Sequence, residues 1–174
     1  TFTALTSGTY NTALGYAALN DNTTGDNNNA FGREALANNT TADNNCAFGY
    51  NALYINTTGA GNVAVGRSAM YANTTADNIT AVGAYALENN TTGANNVAVG
   101  YSSLKANTTG GANTAVGQSA LTANTTGASN TAVGEVAGDA LTTGSYNTAL
   151  GTNSLTTLTT SDHNTAIGRS ALAL

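Results

Sequence analysis

Asn113-Thr-Ala-Val-Gly117-Gln-Ser-Ala-Leu121-Thr-Ala-Asn124-Thr-Thr-Gly127-Ala-Ser129 is the stretch that decides the fold. Gly117 is one of ten glycines at a fixed spacing of 17 residues: Gly15, Gly32, Gly49, Gly66, Gly83, Gly100, Gly117, Gly134, Gly151 and Gly168. A period of this length marks one small unit copied and stacked, rather than a globular domain built round a pocket. Each glycine is preceded by alanine and then one larger apolar residue. The predicted core is therefore a set of ten pairs: Ala13 with Leu14, Ala30 with Phe31, Ala47 with Phe48, Ala64 with Val65, Ala81 with Val82, Ala98 with Val99, Ala115 with Val116, Ala132 with Val133, Ala149 with Leu150, and Ala166 with Ile167. The chain reads as a single array over residues 1–174. A partial rung spans 1–10, and repeats start at 11, 28, 45, 62, 79, 96, 113, 130, 147 and 164. Because it begins and stops partway through a repeat, it reads as a piece of a longer or processed protein.

Seventeen residues barely hold a helix and a turn, and the stretch around Ala-Val-Gly is rich in β-branched residues and Asn, which are poor helix formers. The repeat predicts a short strand at Asn-Thr-Ala-Val-Gly, a second strand or extended piece near Ala-Leu, and a turn at Thr-Thr-Gly. No Asn-Gly or Asp-Gly pair is present to close a two-residue hairpin, and the chain has no proline. The expected fold is all-β, a parallel β-solenoid or β-roll of about ten 17-residue rungs. At about 4.8 Å per rung it would be about 48 Å long.

Composition agrees with a thin interior. Only three Phe and one Met accompany the alanines, and there is no Trp. Charged residues make up 7%, with net charge −5 and four scattered basic residues, Arg33, Arg67, Lys105 and Arg169. No basic footprint for nucleic acid is present, and no apolar run reaches the roughly 20 residues of a membrane span. In an extended strand, Ala115 and Gly117 face one way while Thr114 and Val116 face the other. Neither side is clearly polar, which predicts cover on both. One cover would be the coil's own opposite wall and the other a second chain, as a homotrimer or filament.

The pattern Asn-x-Ala-[Val/Leu/Ile]-Gly-x-x-[Ala/Ser], as at Asn96–Ser103 and Asn164–Ala171, resembles the head repeat of YadA-like trimeric autotransporter adhesins. Similar arrays also look like those of phage tail fibres. The resemblance covers nearly the whole chain. It implies a left-handed parallel β-roll with three chains round a common axis, on a cell surface or virion fibre. Head repeats of that family are shorter, and the extra residues here lie around Asn-Thr-Thr-Gly.

Asn-Thr-Thr recurs at Asn22, Asn39, Asn56, Asn73, Asn90, Asn107 and Asn124, seven sequons in register that would display glycans along one edge. The competing and favoured reading is a structural ladder of Asn and Thr bonded to turn backbone and to the next rung. Leu5, Leu141 and Leu158 replace the ladder toward the two ends. Threonine ladders raise ice binding, but adjacent Thr125 and Thr126 point to opposite sides of an extended chain. Asp26, Asp43, Asp77 and Asp162 share one repeat position, interrupted by Ala60, Ala94, Gly111 and Ala128, so a calcium ladder is poorly supplied. Ser161, Asp162 and His163 hold the residue types of a hydrolase triad, yet as sequence neighbours they cannot converge. Cys46 is expected as a small buried side chain. Tyr16, Tyr50 and Tyr101, with Tyr54, Tyr71 and Tyr85 nearby, could offer sugar-stacking surfaces, although their recurrence as tyrosines is irregular.

The expected function is thus a non-enzymatic structural rod of an extracellular fibre or adhesin, without cofactor or metal, that associates with itself and meets a host surface or glycan. The rivals are an end-to-end filament subunit and an ice- or glycan-binding solenoid. On this reading Val99→Asp should destabilise severely and Asn107→Ala should matter far less.

Overall fold

A computed structural model of the chain describes residues 3–173. It contains ten strands of three residues each: β1 (Thr12–Leu14), β2 (Asn29–Phe31), β3 (Cys46–Phe48), β4 (Val63–Val65), β5 (Thr80–Val82), β6 (Val97–Val99), β7 (Thr114–Val116), β8 (Thr131–Val133), β9 (Thr148–Leu150) and β10 (Thr165–Ile167). They form one parallel sheet in sequence order. Each residue pairs with its equivalent 17 positions on, as Ala98 does with Ala115 and Val99 with Val116. The molecule is a β-solenoid in which every strand but the first and the last leans on the copy before and the copy after.

The rest of each rung is not a second strand. From the residue after the glycine, the chain turns continuously through Ala-Leu, and alternate residues take left-handed backbone: Ser102 (φ 53°) and Leu104 (φ 50°) in one rung, Ser119 (φ 55°) and Leu121 (φ 50°) in the next. Left-handed leucine is unusual and costs about 1–3 kcal/mol. Here the conformation sends Leu36, Leu53, Leu87, Leu104 and Leu121 into the interior, where each is fully buried. The turn segments also bond from rung to rung, as Leu104 N–H does to the Ala120 carbonyl at 2.9 Å. A stretch that reads as extended from its residue types is therefore coiled, because the apolar side chain must turn inward within a circuit of only 17 residues.

The repeating glycine owes its place to two constraints. Gly66 has φ 130°, where L side chains are strained, and a Cβ built there would lie 2.6 Å from the carbonyl carbon of Gly83 in the next rung. The glycines stack backbone on backbone, and only hydrogen fits between them.

Inside the coil, the strand alanines from Ala30 to Ala166 are buried, and Ala13 in the first strand is partly so. The larger residues that follow them are not in the core. Leu14 and Ile167 are each 67% exposed, Phe48 40% and Leu150 44%, and Phe31, Val65, Val82, Val99, Val116 and Val133 are half-buried. The predicted core pairs are thus split by the alternation of the strand: alanine inward, its apolar neighbour outward. The inner volume is filled instead by the turn leucines, Met70, a second set of alanines such as Ala35 and Ala120, and asparagine.

Candidate interaction surfaces

The interior is closed to ligands. No cavity opens among the described residues, and what fills the coil beside alanine and leucine is two ladders of asparagine. The first consists of the sequon residues. Asn22, Asn39, Asn56, Asn73, Asn90, Asn107 and Asn124 are all fully buried. Asn107 donates from Nδ2 to Asn90 Oδ1 at 2.7 Å and to the Gly110 carbonyl at 2.9 Å. Asn124 repeats the pattern one rung later, to Asn107 Oδ1 at 2.8 Å and the Gly127 carbonyl at 3.0 Å. A nitrogen occupied in this way inside the coil has no room for a sugar. The glycosylation expectation at these seven positions is corrected, because the amides face inward and hold the rungs together.

The ladder stops where Leu141, also buried, takes the next slot. Asn124 Oδ1 is left buried with no hydrogen-bond partner, since leucine cannot donate to it. The second ladder runs through Asn28, Asn45, Asn62, Asn96, Asn113, Asn130 and Asn147. Asn113 Oδ1 accepts the Asn130 backbone N–H at 2.9 Å, and its Nδ2 donates to the Gly127 carbonyl at 2.8 Å. Ile79 replaces it once and is itself buried. This second ladder was legible only as part of the repeat consensus; nothing in the sequence marked it as interior.

The Thr-Thr pair divides in two. In the first file, the hydroxyl donates to the next rung's threonine carbonyl, as Thr108 Oγ1 does to Thr125 at 3.0 Å. In the second, Thr109, Thr126 and their equivalents are exposed in single file. The carboxylates of Asp26, Asp43, Asp77 and Asp162 are likewise engaged in the stack. Each accepts the backbone N–H of the preceding rung, from Thr9, Asp26, Ala60 and Ser145 at 2.6–2.7 Å. No group of three or more His, Cys, Asp or Glu side chains placed to share a metal ion occurs among the described residues. His163 is exposed, left-handed at φ 60°, and stacks on Tyr146 with ring centroids 5.0 Å apart. Its neighbours Ser161 and Asp162 make no contact with it that resembles a triad.

Two surfaces remain that present side chains outward in register. One is the outer face of the sheet. Its first rank runs Thr12, Asn29, Cys46, Val63, Thr80, Val97 and on through Thr165, and its second is the displaced apolar set from Leu14 to Ile167. Phe31 and Phe48 stack on this face, with centroids 4.7 Å apart and planes 2° from parallel. Cys46 sits on it half-buried, not inside the coil, because it shares the parity of Thr12 rather than of Ala13. Partial burial pushes its thiol up from the ordinary value.

The other surface follows the glycines. The residue after each repeating glycine reads Tyr16, Arg33, Tyr50, Arg67, Ala84 and Tyr101 over six successive rungs. The Arg33 guanidinium lies over both neighbouring rings, 5.7 Å from the Tyr16 centroid and 5.6 Å from that of Tyr50. Where Ala84 interrupts, Tyr85 takes over: the Arg67 guanidinium lies 5.4 Å from its centroid, and the Lys105 ammonium 5.2 Å. Tyr54 and Tyr71 stack at 5.3 Å nearer the end of the same turn segment.

No protein-family model, curated protein or solved structure matches the chain. Its function must therefore be read from these surfaces.

Proposed function

We propose that the chain is a non-enzymatic structural rod, part of an extracellular fibre or adhesin, whose copies associate through the outer face of the sheet, three round a common axis. The observation that carries this reading is the pair of outward ranks on the ten strands. Val, Leu, Phe and Ile form an unbroken file along the sheet, beside a file of Thr, Val, Asn and Cys that holds no charge. Contiguous apolar surface of this extent marks an interaction site on a soluble protein. A face repeating every rung matches another copy of itself better than any irregular partner. The likeness of the repeat to YadA-like heads supports three chains rather than two. The closed interior and the repetition of every rung support a mechanical role over a catalytic one.

Sedimentation equilibrium tests the reading. The wild-type chain is expected at three times its 17.2 kDa mass. Val99→Asp with Val116→Asp, which places charges on two adjacent rungs of the face, should sediment as a single chain with an unchanged circular dichroism spectrum. A wild-type chain that stays monomeric at high concentration overturns the association, and open-ended fibres would replace the closed trimer with a filament.

A further inference from the structure

In a chain with net charge −5, Arg33, Arg67 and Lys105 gather along one stretch of the surface that follows the glycines, and the fourth basic residue, Arg169, takes the same slot as the two arginines at the far end of the rod. Arg33 and Arg67 occupy alternate rungs, with Tyr16, Tyr50 and Tyr85 beside and between them, and Lys105 closes the row. The tyrosines alone recur irregularly. Read together with the arginines the slot alternates, ring then cation, over Tyr16, Arg33, Tyr50 and Arg67; Ala84 ends the alternation, and Tyr85 supplies a ring one residue on. The row is reached by solvent: Tyr16 is 74% exposed, Tyr50 40% and the Arg33 side chain 60%, while Tyr85 is half-buried. Cation–π contacts this exposed contribute little to folding, so stability alone gives poor reason to collect the cations on one line.

The charges determine the ligand class. Glu34 pairs with Arg33 at 3.1 Å and Glu88 with Lys105 at 3.3 Å; Arg67 has no carboxylate partner within salt-bridge distance among the described residues. Successive arginines are two rungs apart, about 9.6 Å along the axis at about 4.8 Å per rung. Double-stranded DNA carries a charge about every 1.7 Å of its axis and about every 3.4 Å per strand, and a dense polyanion would be repelled by the acidic remainder of the chain. A sparsely charged chain with flat, partly apolar monomers fits better. We infer that the row Tyr16–Arg33–Tyr50–Arg67–Tyr85 binds a linear acidic polysaccharide along the rod axis. Sugar faces rest on the tyrosine rings, whose apolar bodies and polar tips suit an amphipathic ring. Carboxylates on every second sugar meet the two guanidinium groups, Arg67 with its paired donors free and Arg33 by exchanging its Glu34 contact for the ligand carboxylate. This row borders the sheet face, Tyr16 and Arg33 lying two residues past Leu14 and Phe31, but its variants leave that face unchanged, so the inference does not rest on self-association.

The test uses the full chain and hyaluronan oligosaccharides, in which carboxylates alternate with neutral sugars, followed by isothermal titration. Chitin oligosaccharides of the same length serve as the uncharged control and single-stranded DNA as the dense polyanion. Hyaluronan is expected to bind with chitin and DNA at least tenfold weaker. The double variant Arg33→Gln, Arg67→Gln should weaken hyaluronan at least tenfold, and so should Tyr50→Ala, with circular dichroism and sedimentation unchanged. Absence of hyaluronan binding by the wild type overturns the inference. So does equal binding by the arginine variant, or DNA binding as tight as hyaluronan.

Discussion

A single atom, the Oδ1 of Asn124, shows what the buried amides do. Each asparagine of the first ladder after Asn22 donates to the one before it, so each oxygen is satisfied by the following rung until Leu141 ends the series. Asn124→Leu should be nearly neutral, since it moves the orphaned oxygen back to Asn107 while the Gly127 carbonyl keeps its bond from Asn113. Asn73→Leu breaks the ladder in the middle and leaves Asn56 Oδ1 without its 2.8 Å donor, which is expected to cost about 1–3 kcal/mol more in urea unfolding. The glycines make a similar contrast. Gly66→Ala forces both a left-handed alanine and a collision with the Gly83 backbone, and should cost more than about 3 kcal/mol. Gly168→Ala, at φ 117° with nothing within 4 Å of the new methyl, should cost only the conformational strain, about 1 kcal/mol. Asp139 gives a pH-dependent case. Burial pushes its carboxyl up from the ordinary value, against weaker opposing backbone hydrogen bonds, and its Oδ1 is buried without a partner. The folded state thus holds this proton more tightly than the unfolded one, and ionisation above the folded pKa is destabilising. Asp139→Asn should raise the urea midpoint at neutral pH, and the gain should vanish by about pH 3, where the wild-type carboxyl is protonated in both states.

At the scale of the rung, strand parity decides which substitutions hurt. The sequence-based expectation that Val99→Asp is severe and Asn107→Ala mild is reversed for the dissociated chain. Val99 is half-buried on the outer face, whereas Asn107 lies inside with three side-chain hydrogen bonds. Leu104→Ala should cost about 2–5 kcal/mol, and Val99→Asp less than about 1 kcal/mol when measured by urea unfolding below the association range. The strand, its parallel pairing and its register were legible because the glycine and alanine recur without a fault. Which face was inner was not. Ala and Val are both apolar, and nothing in residue type says that the smaller one fills a core. The deciding residue was the leucine four positions past the glycine, such as Leu121, whose left-handed backbone brings it against the alanines. Helix and strand periodicities contain no signal for alternating handedness, so that segment could not be read as a coil. The cation row was hidden for a different reason: counting tyrosines separately from arginines concealed a slot that both share.

On the scale of the whole molecule, stability is a sum over rungs and the contacts between neighbours. Hydrogen bonds link each rung to the next in strand, turn and side chain alike, so they run along the rod rather than across it. A rod loaded at its two ends therefore carries tension through the bonds that join successive copies. When one copy detaches, a height of about 4.8 Å is exchanged for 17 residues of slack chain, about 56 Å at full stretch. Single-molecule pulling should then show a sawtooth with steps of about 50 Å, one per copy, whereas loss of all copies in one event would show that they yield as a block. Stepwise yielding would let the molecule lengthen severalfold under force before the attachment at either end takes the full load.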